Sequence, residues 1–123
     1  MISEEQIEEV KSKLVENYQP DKIILFGSYA RDDANENSDL DLIIVKDSVE
    51  NQNRLERCSD AIIANRGRTS AKGLMKGIGL DVFVYTSEEL SRLYHPYNFF
   101  ISSALRDGKL LYERQGRDRK SVA

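Results

Sequence analysis

Asp39 and Asp41 stand two residues apart at the head of an apolar run that continues through Leu42, Ile43, Ile44 and Val45. In an extended strand alternate side chains share a face, so the two carboxylates project together while Leu40, Leu42 and Ile44 point to the opposite face. Adjacent carboxylates repel and raise one another's pKa unless a cation lies between them, and oxygen ligands on a rigid strand suit a hard ion such as Mg²⁺. Asp81 interrupts a second apolar stretch, Leu80 to Tyr85, and is the natural third carboxylate. Upstream, Gly27 and Ser28 follow the apolar run Ile23 to Phe26. A Gly-Ser pair leaving a strand and entering a helical turn with Tyr29, Ala30 and Arg31 offers backbone N–H groups and a hydroxyl to a phosphate, and the glycine permits close approach. Each feature alone is also what a solvated strand face, an edge-strand acid or a simple turn looks like. Their combination is what points to metal-assisted phosphate chemistry.

These residues need a scaffold, and the rest of the chain reads as one. Ser3 with Gln6 forms a capping box before the helical spacing Ile7, Val10, Leu14 and Val15, and this helix ends near Tyr18 ahead of Pro20. Ile23 to Phe26 reads as a buried strand, Arg31 to Ser38 as a polar loop, and Asp39 to Val45 as a second strand. Leu55, Cys58, Ala61 and Ile62 recur at helical spacing, with Asp47 and Ser48 as cap candidates and Gly67 as the end. From Arg66 to Gly79 the chain holds Arg66, Arg68, Lys72 and Lys76, four glycines and no acid, a basic connection read as solvated. Leu80 to Tyr85 forms a third strand, Thr86 with Glu89 caps a short helix, Phe100 to Leu105 suggests a further helix closed by Gly108, and Lys109 to Glu113 a last strand. Alternating helices and strands in so short a chain predict an α/β (α+β) domain, a small mixed sheet with helices packed mainly on one face. Residues 1–113 read as a single domain and 114–123 as a polar tail.

The 123 residues suffice for one modest core. One Cys and one His exclude an internal disulfide and a thiolate or imidazole zinc cage, so any metal must be held by carboxylates. No long apolar run or signal-peptide pattern appears, which leads us to expect a cytoplasmic protein away from membranes. The net charge of −3 hides an asymmetry: residues 1–60 carry 7 basic against 15 acidic side chains, and residues 61–123 carry 11 against 6. Basic and aromatic residues do not interleave, Tyr29, Tyr85 and Tyr112 read as packing groups, and no direct nucleic-acid binding is expected. No Gly-Lys-Ser or Gly-Lys-Thr follows Gly27, which excludes a Walker phosphate loop.

Gly27-Ser28, ten further residues and then Asp39-x-Asp41, within the phrases GSYAR and SDLDLIIV, resemble the nucleotidyltransferase superfamily that includes DNA polymerase β and kanamycin nucleotidyltransferase. The short length resembles, more narrowly, the minimal nucleotidyltransferases (MNT, or MntA) that act as antitoxins to HEPN-domain toxins. The resemblance spans roughly Ile23 to Glu113, and departs at Asp32, where such sequences usually carry Gly. It implies a polymerase β-like fold, with two Mg²⁺ ions, or Mn²⁺ in their place, on Asp39, Asp41 and Asp81. It further implies nucleoside triphosphate phosphates on Gly27 and Ser28, with Arg31 either steadying the phosphates or bracing its own turn. The implied activity is transfer of AMP from ATP to a tyrosine hydroxyl of a cognate HEPN toxin, because the chain has little room for a domain that grips an acceptor. Two other readings stand beside it: a non-catalytic antitoxin that neutralises by docking, and a small-molecule, antibiotic-modifying transferase completed by a homo-oligomer.

Overall fold

The computed structural model describes residues 1–66 and 79–115. Helix α1 (Glu4–Asn17) starts at the Ser3–Gln6 capping box and buries Val10 and Leu14. Strand β1 (Lys22–Phe26) leads through Gly27 into the single-turn helix α2 (Ser28–Arg31). Strand β2 (Leu40–Val45) is followed by α3 (Arg54–Arg66), β3 (Leu80–Tyr85), α4 (Ser87–Leu93), α5 (Phe99–Asp107) and β4 (Lys109–Glu113). The sheet order is β3-β2-β1-β4, with β1 antiparallel to β2 and β4, and β2 parallel to β3. A parallel pair needs a crossover, and α3 lies within it. The mixed α+β sheet expected from the sequence is thus present.

β2 is central, and its residues are buried on both faces apart from partly exposed Asp41. On one face Leu40, Leu42 and Ile44 join Ile23, Leu25, Val82 and Val84 against α1 and α3 in the main core. On the other, Ile43 meets Phe26, Phe83, and Ile101 and Ala104 of α5. The larger helices therefore cover one face, and α5 with Leu90 of α4 covers the second more thinly. Both faces need apolar residues along β2, which explains the unbroken run Leu42 to Val45. Leu80, Val82 and Val84 pack on the main core while Phe83 and Tyr85 pack on the second, as the alternation predicts. Tyr29 is a packing group as expected: it lies against the main core and its hydroxyl accepts from the Ile2 N–H at 2.9 Å.

One local expectation is corrected. The cap of α3 is Asn53, whose Oδ1 accepts from the Glu56 N–H at 2.8 Å while Glu56 Oε1 accepts from the Asn53 N–H at 2.9 Å. Asp47 and Ser48 lie instead in a 3₁₀ turn, Asp47–Val49. Because Val45 pairs with Tyr85, Asp47 emerges beside the start of α4 and accepts from the Ser87 N–H (2.6 Å) and Oγ (3.1 Å). At the chain's end Arg114 is still tied down, its N–H donating to the Asp21 carbonyl and its guanidinium pairing with Asp21 Oδ1. The proposed helix end at Gly67 and the basic positions Arg68, Lys72 and Lys76 lie outside the described residues.

One buried ion pair fixes β3 against α3 and α4. Arg57 is 7% exposed; its guanidinium donates to the carbonyls of Val49, Gln52 and Val84 and bidentately to Glu89 (2.6 and 3.0 Å). Glu89 also accepts from the Thr86 N–H, and with Arg57 beside it the carboxyl is held down at about 2. Charge-assisted bidentate bonds that satisfy a buried guanidinium are strong, and removing one partner leaves an uncompensated buried charge. Glu89→Gln should cost about 3 kcal/mol in denaturant unfolding. Because the folded-state pKa is depressed, the pair's contribution is present above the ordinary carboxyl pKa and is lost as pH falls towards 2. The gap between wild type and Glu89→Gln should therefore narrow below pH 4.5, the ordinary value for this group.

Candidate active site

The end of β1 and the beginnings of β2 and β3 meet at one edge of the sheet. Phe26 is the register partner of Asp41, and Asp41 of Asp81, so the three side chains stand in one row on the same face. Asp39 precedes β2 by one residue and is exposed. The row rests on an aromatic cluster: Phe26 lies 5.9 Å from Phe83 and 5.5 Å from Phe100, and Phe83 lies 5.1 Å from Phe100. These rings place apolar groups directly beneath the carboxylates.

Asp41 shows the electrostatic consequence. Its pKa is raised from 3.8 to about 6, first by burial, then by the charge of Asp81 and a hydrogen bond with it, then by Asp39, against a smaller pull from Arg31. Protonation of Asp41 relieves part of this burial cost and repulsion, so its surroundings favour the neutral carboxyl. Among the described residues no group of three or more His, Cys, Asp or Glu side chains forms a ready-made metal cage. Asp41 and Asp81 face each other, whereas the Asp39 carboxylate rests against Gly79.

Two glycines give these carboxylates room. Gly27 has φ +78°, a conformation that L side chains rarely adopt, and a Cβ there would collide with Asp41 Oδ2. A Cβ on Gly79 would collide with Asp39 Oδ1, while the Gly79 carbonyl accepts from the Leu40 N–H at 2.8 Å. The role of Gly79 escaped sequence reasoning, which grouped it with the basic connection; its signal is a glycine directly before an acid-bearing strand.

Helix α2 brings Ser28 and Arg31 to the same edge. The Ala30 and Arg31 N–H groups donate to the Gly27 carbonyl, and the Ser28 hydroxyl makes no hydrogen bond among the described residues. Arg31 donates from Nε to Asp33 Oδ2 at 3.2 Å, so its guanidinium braces the turn while its charge still reaches Asp41. Asp32 takes the left-handed conformation, φ +65°, that ends α2. This is the position where the resemblance leads one to expect glycine, and Asp is among the residues that tolerate it.

Two predictions follow from this geometry. In EDTA, the raised Asp41 pKa means that the fold prefers the protonated form, so this contribution is full below pH 4 and is lost as pH rises through 6. Asp41→Asn should be more stable than wild type at pH 7 by about 1 kcal/mol, allowing for solvent screening, and level with it at pH 4; thermal melts across this range check it. Asp32→Gly should stabilise by about 0.5–1 kcal/mol by relieving the left-handed backbone, read in the same melts.

Comparison with known proteins bears on this arrangement. Residues 7–67, just under half of the chain, match the family model described as the nucleotidyltransferase domain. No functionally curated protein matches the chain. Among solved structures, a nucleotidyltransferase candidate from Sulfolobus solfataricus is similar at a TM-score of 0.58 and 20% identity, covering 89% of this chain and 78% of that one. At that identity the likeness speaks for the fold, and the family match over residues 7–67 spans Gly27, Ser28, Asp39 and Asp41. The chain is thus similar to the nucleotidyltransferase domain over residues 7–67 and similar in fold to the Sulfolobus protein.

Proposed function

We propose that the sheet edge formed by Gly27, Ser28, Asp39, Asp41 and Asp81 transfers AMP from ATP to a hydroxyl group, most specifically a tyrosine of a cognate HEPN-domain toxin, and that the chain thereby acts as its antitoxin. The observation that carries the reading is the row Phe26–Asp41–Asp81, which places carboxylates on a partly buried edge where, among the described residues, Arg31 is the opposing charge on Asp41. The donor set, carboxylate oxygens alone, fits Mg²⁺ or Mn²⁺, which keep several waters and take the remaining ligands from substrate phosphates rather than from an all-protein cage. Asp41 and Asp81 would hold such an ion, with Asp39 beside them. When bound, divalent cations supply neutralisation of the triphosphate and acidification of the acceptor hydroxyl.

The chain's own groups have distinct tasks in this reading. Gly27, without a side chain, lets the triphosphate approach the backbone, and the Ser28 hydroxyl donates to it. Asp81, exposed at the rim, accepts the acceptor's proton as its oxygen attacks the α-phosphorus. The new O–P bond forms as the bridging α–β P–O bond breaks, and pyrophosphate leaves with that electron pair. Arg31 is braced by Asp33, so its part is long-range attraction of the anion rather than a direct clamp.

With α-labelled ATP, Mg²⁺ or Mn²⁺ and the HEPN protein encoded beside this chain, label should appear on the partner. Asp39→Ala with Asp41→Ala should lower the rate at least 100-fold. Absence of transfer to that partner would contradict the proposal. Toxin neutralisation that survives the double substitution would instead identify docking as the antitoxin mechanism, and protection of cells from an aminoglycoside without any partner would identify a small-molecule acceptor.

A further inference from the structure

At the opposite end of β3 from Asp81 lies a second feature that the reaction does not use. A cleft of about 380 Å³ opens between the start of α3, the end of β3 and α4. Tyr85, which lines it, is four residues along the strand from Asp81, about 13 Å at the rise of an extended chain. Its apolar wall is Val84, Tyr85 and Leu93, and Arg54 and Arg92 stand at its rim. Tyr85 packs one side of its ring on the second core and presents the rest to the cleft.

The charges are uneven. Buried Arg57 also lines the cleft, but its charge is consumed by Glu89. Glu89 also feels the charge of Arg92, but the lining carries Arg54, Arg57 and Arg92 against Glu89 alone, so the cleft is positive in a chain whose net charge is −3. An anion in the cleft would answer both guanidiniums, and arginine forks match phosphate oxygens. The size falls within the range of small-molecule sites, which combine an apolar wall with a few convergent polar groups.

The geometry points to a second ligand site, separate from the carboxylate edge, that binds a nucleoside phosphate without metal: phosphates on Arg54 and Arg92, the nucleoside against Tyr85 and Leu93. Inorganic phosphate shares the charge recognition but not the apolar wall, so the two ligands separate the contributions. The site does not depend on the transferase reading, because it needs neither the acids nor a divalent ion.

Calorimetric titration with ADP in EDTA tests it. One ADP per chain is expected, with affinity retained in Asp39→Ala with Asp41→Ala and lowered at least tenfold in Arg54→Gln with Arg92→Gln. Leu93→Asp keeps both arginines but places a carboxylate in the cleft, and it should weaken ADP to a similar degree. All three positions carrying these cleft substitutions are exposed, and circular dichroism checks that the variants fold. Inorganic phosphate should bind at least tenfold more weakly than ADP. Absence of ADP binding in EDTA, unchanged affinity in the arginine or Leu93 variants, or loss of binding in the aspartate variant would overturn the site. Phosphate binding as tight as ADP would overturn its assignment to a nucleoside.

Discussion

A carboxylate partly buried beside two others at one sheet edge is the constraint on which this site depends. Asp41 sits between a glycine that leaves it room and Asp81, its register partner, above a bed of phenylalanines that offers no counter-charge. Burial first, and the charges of Asp81 and Asp39 after it, oppose the ionised form of Asp41 and raise its pKa. Groups whose folded environment disfavours their ordinary charge state concentrate at functional sites. Here the disfavoured arrangement is held in place by a strand buried on both faces, whose apolar contacts stabilise what the carboxylates strain.

The scaffold converts this local cost into position. The antiparallel β1–β2 pair brings the Gly27 turn to Asp41, and the parallel β2–β3 pair brings Asp81 from the far side of a crossover. A one-residue slip in either register would turn an acid into the main core. The Arg57–Glu89 pair guards the second of these registers by tying α3 to the carbonyl of Val84 and to α4. In this way a bond network at one end of β3 fixes the depth of Asp81 at the other.

Much of this was legible in the chain because the relevant signals are local. The capping boxes at Ser3 and Thr86, the alternation along Leu80 to Tyr85 and the unbroken Leu42 to Val45 run all depend on neighbours within a few residues, and the structure shows them. Asn53, and not Asp47 or Ser48, caps α3, because the pairing of Val45 with Tyr85 directs Asp47 to Ser87. The burial of Arg57 depends on Glu89, 32 positions away. Gly79 looked like one glycine among several until the fold set it against Asp39. In each case the missing information was which distant residue would arrive alongside.

The central claim is that a divalent cation takes the place of the proton that the surroundings of Asp41 favour. Titration of Mn²⁺ in the presence of a non-hydrolysable ATP analogue, followed by calorimetry in buffers of different ionisation enthalpy, tests it most directly. The account predicts that wild type binds Mn²⁺ with release of protons at pH 6, that the release vanishes at pH 8, and that Asp41→Asn binds far more weakly. Mn²⁺ binding without proton release at pH 6, or equal binding by Asp41→Asn, would contradict it.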